Sequence, residues 1–216
     1  MLLRRVNPIE TIANKIFECI NKYSSPLFFT SYSTSYISGV PNFNNKVYGH
    51  YIDQILNVRF LEESPELFFD YLEKLHTWVE LKPNYIHQIL GNTQSRVVTE
   101  CFDSLHVKAG NSSVIELYGN LNKILCNYCN FEIETCEFLN NNHYFKKSYL
   151  CPSCNTILQP SIILQGQPLK NFNTAINAIH YSDAFIILGN KPIYYPVSRL
   201  ITKANDNKCK VLYISI

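Results

Sequence analysis

The chain has 216 residues, of which 46% are apolar and 17% charged, with a formal net charge of +2. That composition is globular and allows one substantial core plus a small module. No run of Lys or Arg exceeds two residues (Arg4-Arg5, Lys146-Lys147), so a generic electrostatic grip on nucleic acid is not indicated, and no signal peptide or membrane span is expected.

Asn7-Pro8 reads as a cap followed by proline at the first helical position, and Ile9, Ile12, Ala13, Ile16, Phe17 and Ile20 recur at helical spacing to about Lys22. Leu27–Thr30 suits a buried strand, and the Ser/Tyr/Thr/Gly/Pro stretch from Ser31 to Asn45 is expected to be loop. Ser64-Pro65 opens a second helix and Pro83 a third. Val97–Thr99 and Val114–Leu117 read as strands, with Ala109-Gly110-Asn111 as the turn between them.

Two Cys-x-x-Cys pairs follow, Cys126/Cys129 and Cys151/Cys154, separated by 21 residues. Each such turn aims two sulfurs at one centre, and two turns close a tetrahedral zinc site with no position left for water. A structural zinc ion is therefore expected, with two disulfides as the alternative. Eight cysteines without a secretory signal favour metal in a reducing, intracellular setting, cytoplasmic or nuclear. Cys136 and His143 lie inside the insert, but their isolated placement argues against ligation.

Past Pro160 the pattern predicts a short strand at Ile162–Leu164, a helix around Thr174–Ile179 and a fully apolar strand at Ala184–Leu188. A helix at about Val197–Ala204 and a strand at Val211–Ile214 follow. Apolar strands alternating with amphipathic helices argue for an α/β fold: a Rossmann-like parallel sheet with helices on both faces, plus a zinc ribbon and a helical insertion. The expected modules are residues 1–45, 90–121 and 159–216 for the sheet domain, 46–89 for the helical module and 122–158 for the ribbon. Ligands on such sheets bind at the carboxyl ends of the strands, here the loops after Thr30, Thr99, Leu117 and Leu188.

Taken in order, those loops resemble the sirtuins, the NAD-dependent protein deacylases. Thr30–Ser35 and Ser38-Gly39-Val40-Pro41-Asn42-Phe43-Asn44 stand where the family has Thr-Gly-Ala-Gly-Ile-Ser and Ser-Gly-Ile-Pro-Asp-Phe-Arg. Pro83–His87 matches its Pro-Asn-x-x-His, Thr99–Gly110 its Thr-Gln-Asn-Ile-Asp-Gly-Leu-His-x-x-Ala-Gly, and Glu116–Gly119 its Glu-Leu-His-Gly. Leu158-Gln159-Pro160, Gln165-Gly166-Gln167 and Gly189-Asn190-Lys191 follow where the family has Leu-Arg-Pro, Phe-Gly-Glu and Gly-Thr-Ser.

The resemblance implies cofactor positions at Ser31, Tyr32, Phe43, Glu100, Cys101, Asp103, Gly189 and Asn190, and a catalytic position at Tyr118. Several are substituted. Ser31, Tyr32 and Ser33 replace Gly-Ala-Gly, so side chains crowd the phosphates and non-glycine residues resist positive φ. Tyr118 replaces the histidine that serves as general base; a phenol of pKa about 10 is a poor proton acceptor at pH 7. Glu100 and Cys101 replace an amide pair facing ribose and nicotinamide, Asn44 an arginine near the ribose, and Asn190-Lys191 small hydroxyl residues that contact phosphate. His106 is expected to be structural. The family also continues past the strand matching Lys210–Ile216, so the adenine side of a pocket is expected to be open unless this sequence is a fragment.

NAD binding is accordingly in doubt, and the leading expectation is a sirtuin-like pseudoenzyme that binds a protein or acyl-lysine peptide along the edge Ile162–Gly166. The alternatives are an active or residual NAD-dependent deacetylase or ADP-ribosyltransferase, with Glu100 or Glu116 as substitute base, and an unrelated zinc-ribbon interaction protein.

Overall fold

The computed structural model describes residues 8–41, 46, 49–140, 149–192 and 194–216. Its centre is a five-stranded sheet in the order β3-β2-β1-β7-β8, every neighbouring pair parallel. The strands are β1 (Pro26–Thr30), β2 (Arg96–Thr99), β3 (Val114–Glu116), β7 (Ala184–Leu188) and β8 (Lys210–Ile214). In β7 all five residues are buried, as a strand covered on both faces must be.

Side chains alternate between two cores, following the two-residue period of a strand. Leu27, Phe29, Val98, Phe185 and Ile187 pack with Ala175 and Ile179 of the helix Phe172–His180 and with Leu200 and Ala204 of the helix Arg199–Asp206. Phe28, Val97, Ala184, Ile186 and Leu188 face the other way, onto Ile16 and Cys19 of α1 (Pro8–Lys22) and Ile86 and Leu90 of α6 (Tyr85–Asn92).

A third core joins the helical insertion to the ribbon. Helices α3 (Ile52–Ile55), α4 (Val58–Glu63) and α5 (Pro65–His76) share it with Ile124, Phe138 and Leu158. Phe69 of α5 stacks on Tyr149 at 4.6 Å and meets Phe138 of α8 (Thr135–Asn140) at 5.4 Å. The ribbon's antiparallel sheet runs β5-β4-β6, formed by Glu132–Glu134, Lys123–Leu125 and Gln159–Pro160. Trp78, in the turn after α5, stacks on Phe102 at 5.8 Å.

Four local expectations are corrected. The stretch from Ser31 is not all loop: α2 (Tyr32–Tyr36) forms there, and Asn84 Nδ2 secures it by donating to the Thr34 carbonyl at 2.7 Å and to Ser38 Oγ at 2.9 Å. The third helix starts at Tyr85 rather than Pro83, because Asn84 Oδ1 accepts the Ile86 N–H at 3.0 Å and so acts as the cap. Between β2 and β3 the chain inserts α7 (Leu105–Lys108) before the Ala109–Asn111 turn, as parallel neighbours require a crossover.

Ile162–Leu164 forms no ladder. Ile162 and Leu164 are buried and Ile163 is half-buried, but the backbone is a strap: Ile163 N–H donates to the Tyr118 carbonyl at 2.7 Å and Gln165 N–H to the Leu56 carbonyl at 2.8 Å. Asn42–Asn45 and His143 lie outside the described residues.

Candidate functional site

Register aligns the carboxyl ends of all five strands in one row, pairing Thr30 with Thr99 and Leu188, Thr99 with Glu116, and Leu188 with Ile214. Strand order runs outward from β1 through β2 to β3, and on the other side from β7 to β8. The topological switch point therefore lies between β1 and β7. The loops around it carry Ser31, Tyr32, Glu100, Cys101, Asp103, Tyr118, Gly189 and Asn190; Phe43 is outside the described residues.

At the switch point the two loops are bonded to each other. Ser31 Oγ and Ser33 Oγ are 2.7 Å apart, and the Asn190 N–H donates to Ser31 Oγ at 2.9 Å and to Ser33 Oγ at 3.3 Å. Gly189, at φ +93°, gives them the space: a Cβ there would lie 2.0 Å from Ser33 Oγ and 2.6 Å from Ser31 Oγ. The expectation that side chains at Ser31–Ser33 resist positive φ is corrected. Ser31 is extended (φ −95°, ψ 172°) and Tyr32 and Ser33 are helical, so this turn needs no left-handed residue.

Beside it sits a cluster of acid and phenol groups. Burial pushes the Glu100 carboxyl up to about 7, partly offset by a hydrogen bond from the Tyr32 backbone N–H. Burial also raises Tyr118, with the Glu100 charge adding to it. Tyr32 is raised well above the phenol range by burial first, then by Glu100, Cys101, Tyr118 and Asp103. Its ring stands edge-on to Phe102 at 5.9 Å. The Cys101 thiol is held protonated by burial and by Asp103, so it is a poor nucleophile here.

Asp103 has local work. Its Oδ2 accepts from Ser35 Oγ at 2.5 Å and its Oδ1 from the Leu105 N–H at 3.0 Å, tying α2 to the first turn of α7. Glu116, the other acid considered as a substitute base, is bound by Asn120 Nδ2 at 2.7 Å and by the Ser104 hydroxyl. Tyr118 lies at the exit from the sheet, followed by Gly119 at φ +71°, where a Cβ would lie 2.3 Å from the Ser161 carbonyl. Only a glycine lets the strap pass so close.

His106 is buried, as its structural assignment requires, and its Nε2 is 2.9 Å from Thr30 Oγ1. Its contact with the equally buried His87, ring centroids 4.5 Å apart, was not legible in sequence. The Asn84 N–H donates to His87 Nδ1, which fixes that ring as the neutral Nε2–H tautomer.

The four paired cysteines converge: their sulfurs all lie within 4.8 Å of one another, and Cys126–Cys154 and Cys129–Cys151 are 3.4 Å apart. Zinc–sulfur bonds of about 2.3 Å in a tetrahedron put sulfurs about 3.8 Å apart, so the set fits a zinc ion. All eight cysteines are free thiols, and convergence of four sulfurs on one centre favours metal over two disulfides. Asn130 and Asn155, directly after each pair, take φ +59° and +62°. Asparagine tolerates that left-handed turn, a sequence signal that could have strengthened the metal assignment. Cys136 is exposed and outside the cluster.

The family model described as "Sir2 family" matches residues 34–196 of this chain. A Staphylococcus aureus NAD-dependent protein deacetylase is 30% identical over 213 residues, covering 91% of this chain and 83% of the relative. A Clostridium tetani NAD-dependent protein deacetylase is 29% identical, covering 88% and 82%. Among solved structures, a complex described as "Sir2-p53 peptide-NAD+" superposes with a TM-score of 0.81 at 24% identity, covering 93% of this chain and 85% of that one. A histidine-to-tyrosine mutant of Sir2 with p53 peptide and NAD gives a TM-score of 0.80 at 23% identity, covering 94% and 86%. Likeness at that identity establishes a shared fold. Among the described residues no helix is long and apolar enough to cross a membrane.

Proposed function

The chain belongs to the Sir2 family, and from that premise we propose that it binds a protein segment in the cleft beside its strap, with the deacylation chemistry of its relatives lost or greatly weakened. One observation carries this: the position of the family's base is taken by Tyr118, a phenol whose proton is held more tightly still by burial and by Glu100. General-base catalysis is worth about 10²–10⁴-fold, so its loss alone leaves a crippled reaction.

The strap supports the binding half of the reading. The Ile163 and Gln165 N–H groups face inward, while the Leu164 N–H is covered only by Gln167 Oε1 at 3.0 Å. An incoming extended peptide can displace a side-chain amide and pair with that backbone. In this reading Cys126, Cys129, Cys151 and Cys154 hold a zinc ion that serves as a staple, since four thiolates fill its coordination. The reading takes the expected sheet, helical and ribbon modules with two seams moved: α6 packs on the main sheet, and Gln159–Pro160 pairs within the ribbon's sheet.

Titration with an acyl-lysine peptide and an assay of nicotinamide release test the proposal together. Peptide binding is expected, with turnover at least about 100-fold below an imidazole-based relative. Tyr118→His alone is expected to leave turnover low; full recovery on that change would show that the switch-point substitutions are harmless. Relative-like turnover by the unaltered chain would refute the reading.

A second reading, a residual NAD-dependent deacylase or ADP-ribosyltransferase, is favoured by Glu100, whose carboxyl near 7 suits a proton acceptor and which lies beside Tyr118. Any residual turnover would then rise with pH through about 7 and collapse in Glu100→Gln. Turnover that survives that substitution with its pH profile intact excludes Glu100 as the base.

A further inference from the structure

A bound pyrophosphate at the switch point of a doubly wound sheet is held by backbone N–H groups that the protein leaves free, at a turn with room for close approach. Here five of those donors are occupied. The Ser31 N–H donates to the Leu188 carbonyl at 3.3 Å, the Thr34 N–H to Ser31 at 2.9 Å and the Gly189 N–H to Ile214 at 2.9 Å. The Asn190 N–H is shared by the Ser31 and Ser33 hydroxyls. The Tyr32 N–H, at the start of α2, is taken by Glu100, so a carboxyl group already occupies the end of the helix an anion would approach. The space above Gly189 is filled by the same two hydroxyls at distances no further atom could share.

We infer that Ser31, Ser33 and Glu100 are internal stand-ins for a ligand's phosphates, and that they set the specificity of this crevice against dinucleotides. The inference rests on the Sir2 reading for the location of the cofactor site. It explains how a chain with this fold keeps its two central loops docked without cofactor: the Ser31 and Ser33 hydroxyls bridge to the Asn190 N–H from within. It also separates two properties that travel together in a working enzyme, since peptide binding at the strap needs none of these groups.

The test is calorimetric titration of the full, metal-loaded chain with NAD, ADP-ribose and inorganic pyrophosphate, alongside the acyl-lysine peptide. The unaltered chain is expected to bind none of the three phosphates more tightly than about 1 mM, a threshold well above ordinary cofactor affinities. Removing both hydroxyls in Ser31→Gly/Ser33→Gly frees the Asn190 N–H and is expected to tighten NAD and ADP-ribose at least tenfold, with peptide affinity unchanged. Should that pair fail to fold, Ser33→Ala removes one hydroxyl and keeps the Ser31 contact, and a gain of about threefold is expected. Micromolar NAD binding by the unaltered chain overturns the inference, as does a folded glycine or alanine variant with no gain. Loss of peptide binding in the unaltered chain instead sinks the proposed function and leaves this inference standing.

Discussion

Chelating the metal from the four-cysteine cluster is expected to lower the melting temperature of the whole chain by roughly 10 °C or more, with release of one equivalent of zinc. The effect is large because the ribbon does not stand apart. Phe69 of α5 stacks on Tyr149 and touches Phe138, both from the ribbon side, while Cys126 and Cys151 are themselves buried in that joint core. Releasing the ribbon therefore exposes aromatic surface on the helical insertion as well. In zinc-finger peptides the metal supplies about 10–16 kcal/mol of apparent binding energy, which is folding energy where no site is preformed. Cys126→Ser removes one thiolate and is expected to reproduce the loss, whereas Cys136→Ser, at an exposed position outside the cluster, leaves melting unchanged. A metal-free protein that melts like the loaded one would falsify the structural role.

The second large effect concerns acid, where two buried groups oppose each other. Burial lowers His87 from 6.5 to about 4, so the folded chain holds it neutral; its contribution is complete above pH 6.5 and is lost as pH falls through 4. A shift of that size is worth about 3 kcal/mol. His106 is lowered well below 6.5 by burial and by His87, and adds to the loss. Glu100 runs the other way. Its carboxyl is raised from 4.5 to about 7, so it contributes stability that is complete below 4.5 and lost as pH rises through 7.

The windows nearly coincide, and Glu100 thus masks the acid sensitivity of the histidine pair. Asp103 and Glu116, also raised by burial, act in the same sense as Glu100. Denaturant unfolding from pH 8 to 4 is expected to show Glu100→Gln losing about 3 kcal/mol relative to the unaltered chain as pH falls from 7 to 4.5. Metal release at low pH affects both proteins alike and cancels in the difference. Parallel pH profiles for the two proteins would mean that Glu100 is solvated and carries no such shift.

The strands of the main sheet were legible because burial on both faces forces a continuous apolar run, as in Ala184–Leu188, and the long helices because their apolar spacing repeats over several turns. Helices α2, α3, α4 and α7 were not. They have four to six residues, too few for a period to declare itself, and α2 and α7 are stabilised by groups distant in sequence, such as Asn84 on Thr34 and Asp103 on Ser35. The strap at Ile162–Gly166 shows the complementary failure: its side chains carry a strand pattern, yet among the described residues it makes one isolated bridge, Gln165 to Asn57, and no ladder.

At the site, loop order along the chain was enough to say which residues share the carboxyl edge. It could not say how they meet. The Ser31–Asn190 contact spans 159 positions, and the pairing of His87 with His106 depends on how α6 lies against α7. Spacing revealed the sulfurs; the asparagine after each pair was there to be read, but its left-handed turn shows only in the folded backbone.

The stack of Trp78 on Phe102 gives the molecule a built-in optical probe. The chain has a single tryptophan, nearly buried, and its neighbour Phe102 touches Tyr32 beside the switch point. Phe102 belongs to the loop after β2, so a rearrangement of that loop that shifts this ring changes intrinsic emission from one indole without any label.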